Sequence, residues 1–592
     1  MCGIAGYIGE GKAQSILFEM LKRLEYRGYD SAGIACISEG RIVVSKDKGT
    51  VDEVGKKMNS KKIPAKLGIA HNRWATHGIP SHDNAHPHQD CSQNFTVVHN
   101  GIIENYKDLK EELLQQGHEF RSDTDTEVIP HLIEEFYKEE KNFESSFVKA
   151  IGKLRGSFAI AAISPDESDK ILVARKESPL IIGLGNGENF IASDTPAVIP
   201  YTKKIIILDD FDYGIVSKDS VLLKDLQTGD ELNKDVQTVE WSLKEAEKEG
   251  YEHFMLKEIF EEPNAVRNAL KGAEEIRKVA AKLKKYERIY LVACGTASYA
   301  GLVGKYLLER FGIPADAITA SEFRYSTINT LDDKCAVILI SQSGETADTI
   351  ASAKGAKEKG AYLASIVNVV GSTLTRISDD VIYTYSGPEI AVASTKAYLG
   401  QLVSVTMLSL FLARENDGIT EEYMNEILDD LNGLPDKIQS ILNEEKEIKN
   451  LADKLAKKNI FFYIGRRLNY PTALEGALKI KEISYVHAEA YPAGELKHGP
   501  LALLEKGVPV IAIKPNDDLA EKMESNIEEA KAREATVLVV GESGELKVPV
   551  IDPLLSPILY IVPLHLLAYH ISNAKGLDPD KPRNLAKSVT VE

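Results

Sequence analysis

Two rhythms of apolar and polar residues alternate along the chain. Up to about residue 213, short apolar runs with β-branched content and glycine punctuation predict strands at 3–8, 32–38, 41–46 and 67–73. Apolar residues at helical spacing predict amphipathic helices at 16–24 and 105–115. Strands with helices between them imply stacked sheets covered by helices. From residue 286 the order becomes apolar strand, small-residue loop, helix. Strands are predicted at 288–293, 335–340, 362–368 and 381–385, and helices at 299–311, 347–359 and 394–413. The same order restarts after residue 449, with strands at 459–464, 508–514 and 536–540 and a helix at 471–484. Such alternation predicts doubly wound parallel sheets. The repeat of strand–Gly–helix at Gly295 and Gly465 predicts an internal duplication. Between the two rhythms, 217–262 is densely charged and reads as a linker, with a helical pattern at 241–248. Glu- and Lys-rich helices follow over 252–285.

Composition narrows the classes. A chain of 592 residues has room for about three to four domains. Its net charge of −18 argues against a nucleic-acid or anionic-membrane partner. The apolar runs 403–413 and 557–568 fall short of the ~20 residues that span a bilayer, so buried helices are expected. Acidic and polar residues arrive by Glu10, so no secretory leader is expected. The five cysteines are scattered with no C-x-x-C pair, which fits a reducing cytoplasm. His82, His86 and His88 crowd one loop with Asp83, Asp90 and Cys91, but their spacing matches no zinc signature, and no metal is expected. The glycine-rich run 183–187 lacks the following helix of a dinucleotide fingerprint and predicts a hairpin.

Candidate chemistry begins at Cys2. Removal of Met1 would give Cys2 a free α-amino group beside its thiol, a nucleophile and a base in one residue. Arg73 has a planar fork suited to a carboxylate, Asn100 and Gly101 suit an oxyanion hole, and an acid in 122–127 suits an ammonium group. Together they fit a free amino acid such as glutamine. Singly, each also reads as an ordinary feature: a surface ion pair, a turn, a helix cap.

Cys2-Gly3-Ile4, Arg73-Trp74-Ala75-Thr76-His77-Gly78, His99-Asn100-Gly101 and Thr124-Asp125-Thr126-Glu127 together resemble the N-terminal-nucleophile glutamine amidotransferases. The resemblance implies a four-layer αββα domain at 2–215. It implies attack by Cys2 on the glutamine amide, an oxyanion hole at Asn100 and Gly101, and glutamine contacts at Arg73, Trp74, Thr76, His77, Gly101 and Asp125.

In the later part, the loop 341–346 offers three hydroxyls, an amide and backbone N–H groups at a helix start, a way to hold phosphate without cations. Glu475, Lys479 and Glu482 share one helical face, which a solvated salt-bridge stripe would also do. His498 lies in a Gly/Pro loop, and the C-terminal 584–592 is apolar enough to dock. The segments 341–346, 389–396, 494–500 and 585–592 resemble the paired sugar-isomerase (SIS) domains of the glutamine–fructose-6-phosphate aminotransferases. That resemblance implies SIS domains at 279–419 and 451–582, a linker with helices at 216–278, and a tail at 583–592 that closes the sugar site. It implies phosphate contacts from Thr296, Ser341, Gln342, Ser343 and Thr346, and a sugar contact from Ser394. Lys587 would form a Schiff base, His498 of a partner subunit would assist ring opening, and Glu482 would move a proton between C1 and C2 beside Lys479. The implied partners are L-glutamine, D-fructose 6-phosphate and a second copy of the chain, with no cofactor, in the cytoplasm. Ala297 departs from the serine common there, leaving one phosphate bond to Ser298 or lost, and Ala391 stands where glycine is usual. Two rivals remain open at this point: an amidotransferase acting on a phosphoribosyl diphosphate, whose acidic motif is not found, and a non-enzymatic sugar-phosphate sensor.

Overall fold

The computed structural model describes residues 2–58, 63–75, 77–239 and 247–590. It divides into two compact units, Met1–Ala246 with Ser588–Glu592, and Glu247–Lys587.

The first unit holds two antiparallel sheets. Gly3–Gly9 is central to an eight-stranded one, between Leu67–Arg73 and Glu188–Ala192. Thr96–Ile103 and Gly156–Ile163 are neighbours in a seven-stranded one. The period-2 alternation of strand side chains sorts their residues into layers. Ile4 and Ile8 face the core between the sheets, where Ala159, Ala161 and Ile163 also lie. Ala5 and Tyr7 face the other way, under Leu17, Met20, Leu21 and Leu24 of the helix Ala13–Leu24. Phe158, Ile160 and Ala162 pack under the helices Tyr106–Gln115, Val128–Glu140 and Phe143–Gly152. The result is a four-layer αββα stack. Ile181–Leu184 and Glu188–Ala192 pair antiparallel, so the glycine-rich run is the expected hairpin turn.

The expected linker differs. Val221–Asp225 and Glu231–Leu232 extend the seven-stranded sheet, and Gln237–Thr238 extends the other. Charged side chains disguise these strands because edge positions leave them half-exposed or exposed. Most of the expected helix at 241–248 lies outside the described residues.

The second unit holds two five-stranded parallel sheets. In the first, Arg288–Ala293 lies between Ala315–Thr319 and Cys335–Ser341, so chain order reverses direction beside Arg288–Ala293. Loops after strands flanking such a switch point form a crevice at their carboxyl ends. The second sheet, with Ile460–Gly465 next to His487–Pro492, repeats the plan. The central strands, among them Cys335–Ser341, Tyr362–Val367 and Pro509–Ile513, are buried on both faces, as parallel strands are. Ala336, Ile338 and Ile340 join the large core shared by the two sheets, while Val337 and Leu339 face an outer core. The helices Lys396–Glu415 and Val562–Ala574 fill that shared core, which accounts for their apolar sequences.

Candidate active sites

In the first unit, Cys2 precedes the central strand. Its Sγ accepts the Trp74 N–H at 3.2 Å and its thiol donates to Trp74 O at 3.4 Å. Burial pushes the thiol up, while the positive amino terminus, the Trp74 N–H and Arg73 pull it back. The Cys2 carbonyl accepts from Asn100 Nδ2 at 3.0 Å and from Arg27 Nε at 3.2 Å. Asn100 is fixed in turn by Ser193 Oγ at 2.8 Å and His71 Nε2 at 2.9 Å. Asn100 and Gly101 lie within the strand Thr96–Ile103 rather than in a turn. Gly101 has φ +125°, and a Cβ there would sit 2.1 Å from Ser157 O, so the position admits only glycine.

Arg73 is 4% exposed and sits in no surface ion pair. One of its Nη atoms donates to His77 O and Gly78 O, bending the loop back on itself. The other is buried with no acceptor, and so is His77 Nδ1. Asp125 does not cap a helix: it accepts the Ile103 N–H at 2.8 Å across to the neighbouring strand. Trp74 is half-buried, edge-on to Tyr29 with ring centroids 5.7 Å apart. Thr76 lies outside the described residues. The structure thus gathers Cys2, Arg73, Trp74 and Asn100 by direct contacts. It adds Arg27, Asp30 and Ser193, which sequence reading missed. Asp30 accepts the Ala75 N–H at 2.8 Å, and no local pattern marks it.

His86 and His88 are buried and held neutral by that burial. His86 stacks on His71 at 4.1 Å, and His88 Nε2 meets Thr124 Oγ1 at 3.1 Å. His82 is exposed, so these three do not converge.

In the second unit, the strand Cys335–Ser341 ends in the hydroxyl-rich loop. Ser341 Oγ meets Thr346 Oγ1 at 3.2 Å and accepts the Gly344 N–H at 3.0 Å. Ser343 Oγ accepts the Glu345 N–H at 3.1 Å, and Gln342 O accepts the Asn368 N–H at 3.1 Å. Gly344 has φ +65°, and a Cβ there would lie 2.0 Å from Ser372 Oγ. The loop therefore folds onto its own hydroxyls at the N-terminus of the helix Ala347–Glu358.

Thr296 opens the helix Gly295–Arg310, after the adjacent strand. Its hydroxyl donates to Glu475 Oε1 at 3.2 Å and accepts from Lys479 Nζ at 3.0 Å. It thus engages the acid–lysine cluster rather than the 341–346 loop. Lys479 is fully buried and bridges Glu482 at 2.6 Å and Glu475 at 3.3 Å. This face is no solvated stripe. Burial alone would lower the Lys479 ammonium, but Glu475 and Glu482 raise it above its usual range. Burial pushes Glu475 up to about 8 against the pull of Lys479. The Ser298 hydroxyl donates to Gly295 O at 2.6 Å.

Lys587 Nζ contacts the Glu389 carboxylate and donates to Ala391 O at 2.9 Å. Ser394 Oγ donates to the same carboxylate at 2.8 Å, as do the Thr395 and Ala397 N–H groups. Burial opposes ionisation of Glu389, but Lys587 and these donors hold it down at about 2. Behind it, Glu258 takes the Ile390 and Ala391 N–H groups and is pushed up to about 8 by burial and by Glu389. Glu258 lies in the segment expected as linker, and its charge concealed its burial. His498 is exposed at the end of the turn Ala493–His498, with no hydrogen bond to either cluster among the described residues. It is the one proposed catalytic residue of this unit lacking a hydrogen bond to these clusters.

Known proteins match both units. Residues 71–200 match the family model of the glutamine amidotransferase domain, and 282–410 and 454–545 match that of the SIS domain. The chain is 54% identical over 602 residues to the glutamine–fructose-6-phosphate aminotransferase (isomerizing) of Pyrococcus horikoshii, and 53% identical to that of Thermococcus kodakarensis, covering 100% of every chain. The solved C-terminal domain of glucosamine-fructose-6-phosphate aminotransferase from Francisella tularensis is 38% identical with a TM-score of 0.54, covering 56% of this chain and 99% of that one. The chain belongs to the glutamine–fructose-6-phosphate aminotransferase (isomerizing) family.

Proposed function

We propose that this chain makes D-glucosamine 6-phosphate from D-fructose 6-phosphate and L-glutamine, releasing L-glutamate. The observation that carries the reading is the pairing of two chemistries in one chain: a part-buried thiol near an arginine whose second Nη has no acceptor among the described residues, and, in the second unit, two buried lysine–carboxylate clusters and a hydroxyl-rich loop at a helix start. In the first unit, Cys2 attacks the glutamine amide, with its own amine as base once Met1 is removed. The free Nη of Arg73 takes the substrate carboxylate, with Trp74, Thr76 and His77 around it, and Asp125 takes the ammonium group. Asn100 and Gly101 stabilise the oxyanion.

In the second unit, the 341–346 loop (Ser341, Gln342, Ser343, Thr346) holds the phosphate, and Ser394 the sugar chain. Lys587 forms the Schiff base once its proton passes out of the ion pair with Glu389. Glu482 moves the proton between C1 and C2, and Lys479, bridged to Thr296, holds its carboxylate in place. A carboxylate beside a carbonyl is suited to that transfer. The exposed His498 suits a role in a partner subunit's site, which makes a homodimer part of the proposal. The SIS limits 279–419 and 451–582, a tail at 583–592 and a cytoplasmic location belong to the same reading.

The test is one assay with two variants. Cys2→Ala should abolish glutamate release yet keep isomerisation of fructose 6-phosphate. Lys587→Arg should keep glutamine hydrolysis and make no amino sugar, since arginine does not lose its proton. Amino sugar from Lys587→Arg would sink the Schiff-base role.

A further inference from the structure

Away from Cys2, four potential ligands converge in the first unit: Cys91, His118, His131 and Glu134. Cys91 lies in the loop between His88–Gln89 and Thr96–Ile103, His118 follows the helix Tyr106–Gln115, and His131 and Glu134 share one face of the helix Val128–Glu140. The two Nδ1 atoms are 3.2 Å apart. Cys91 Sγ is 3.8 Å from His118 Nδ1 and 3.6 Å from His131 Nδ1. Glu134 Oε2 is 3.2 Å from the first nitrogen and 3.7 Å from the second. No pair of the four atoms is more than 4.8 Å apart. A tetrahedral zinc ion with bonds of about 2.0–2.3 Å spaces its ligands about 3.3–3.6 Å from one another. Five of the six edges of the cluster measure 3.2–3.8 Å, close to that spacing, and the sixth, from Cys91 Sγ to the Glu134 carboxylate, is no longer than 4.8 Å.

Its surroundings orient it the same way. His118 Nε2 meets Glu135 Oε2 at 2.9 Å, which places the proton there and turns the Nδ1 lone pair inward. The Glu119 N–H points at Cys91 Sγ at 3.3 Å, as amides do toward thiolates, and the Cys91 N–H holds Glu134 Oε2 at 3.2 Å. Two inward imidazole nitrogens, a sulfur and a carboxylate offer four lone pairs to one point. A thiolate, a carboxylate and two neutral imidazoles balance a divalent cation.

We propose that Cys91, His118, His131 and Glu134 form a structural zinc site. Four protein ligands close the coordination shell, so the site holds no open position for substrate. It fastens three segments that sequence leaves separate. The stretch between two of them, 118–131, carries Asp125. The earlier expectation of no metal rested on Cys91 grouped with its neighbours His82, His86 and His88. Its partners stand 27 and 40 residues further on.

The test uses the full chain, untagged and purified without chelator. Elemental analysis should find about one zinc per chain. Cobalt(II) exchanged into the site should show a thiolate-to-cobalt charge-transfer band and the intense visible bands of tetrahedral cobalt. Cys91→Ser should lose the charge-transfer band and His131→Ala the bound metal, whereas Cys2→Ala should keep both. Cys91 is exposed, so Cys91→Ser tests the site without disturbing the core. Zinc removal should lower the unfolding temperature of wild type, and the same treatment should not lower that of His131→Ala. Failure of the metal-free chain to take up stoichiometric zinc or cobalt at micromolar concentration would overturn the site. So would a charge-transfer band that survives Cys91→Ser.

Discussion

Gly101 shows how a single atom decides this fold and its chemistry. The strand Thr96–Ile103 pairs Gly101 with Phe158, and the backbone there turns to φ +125°. A methyl group would meet Ser157 O at 2.1 Å, and that oxygen belongs to backbone, which does not yield cheaply. Gly101→Ala is therefore expected to cost roughly 2–4 kcal/mol of stability and to shift Asn100 away from Cys2. Thermal unfolding and glutamate release should fall together. Unchanged glutaminase activity would show that the strand bends at no cost and that Asn100 is not held by it. At this scale the sequence was partly legible. Cys2, Arg73 and Asn100 were readable because their residue types have few other uses in that order. Arg27, Asp30 and Ser193 were not, because their roles come from backbone groups distant along the chain.

The helix Asn469–Ser484 carries one of the buried charge clusters of the second unit. Lys479 is flanked by two carboxylates, and one positive charge satisfies one of them. Burial keeps the proton on Glu475 up to about 8 against the pull of Lys479. Glu475→Gln mimics the protonated acid and should change stability by no more than ~1 kcal/mol at or below about pH 4.5, where both side chains are neutral. Lys479→Met leaves two buried acids without a cation and should cost ~3–5 kcal/mol. The pH dependence follows from the same proton. The folded state binds it more tightly than the unfolded chain, whose glutamate titrates near 4.5. The stability it contributes is full below about pH 4.5 and is lost as pH rises through about 8. Glu475→Gln should therefore flatten the fall in unfolding temperature between pH 5 and pH 8, and an unaltered slope would place the proton elsewhere. Sequence periodicity put Glu475, Lys479 and Glu482 on one face but did not reveal whether that face was wet. Burial is decided by what packs against a helix, and here the partners include the helix Val562–Ala574. The central parallel strands were legible for the converse reason, since burial on both faces leaves unbroken apolar runs, whereas the half-exposed Ala315–Thr319 and His487–Pro492 were not predicted. The charged strands from Val221 to Thr238 were not, because edges tolerate the residues that linkers favour.

For the whole molecule, the proposed reaction needs ammonia made at Cys2 to be consumed at the sugar. Free ammonia in neutral water becomes mostly ammonium, which is no nucleophile, so its release must be matched to its use. Trp74 is placed to govern that match inside the first unit. Its backbone holds the Cys2 thiol from both sides, and its ring is only half-buried, resting edge-on against Tyr29. It follows Arg73 directly in a loop whose His77 and Gly78 carbonyls accept from the Arg73 guanidinium. The half-buried ring is the part of Trp74 proposed to close over bound glutamine. Trp74→Ala keeps the backbone contacts to Cys2 and removes only the ring. Glutamate release should stay within about threefold of wild type, while glucosamine 6-phosphate formed per glutamate falls severalfold. Both products are measured in one reaction with fructose 6-phosphate saturating. If the ring serves only packing, both products and the unfolding temperature decline in step, and a product ratio equal to wild type removes Trp74 from the mechanism.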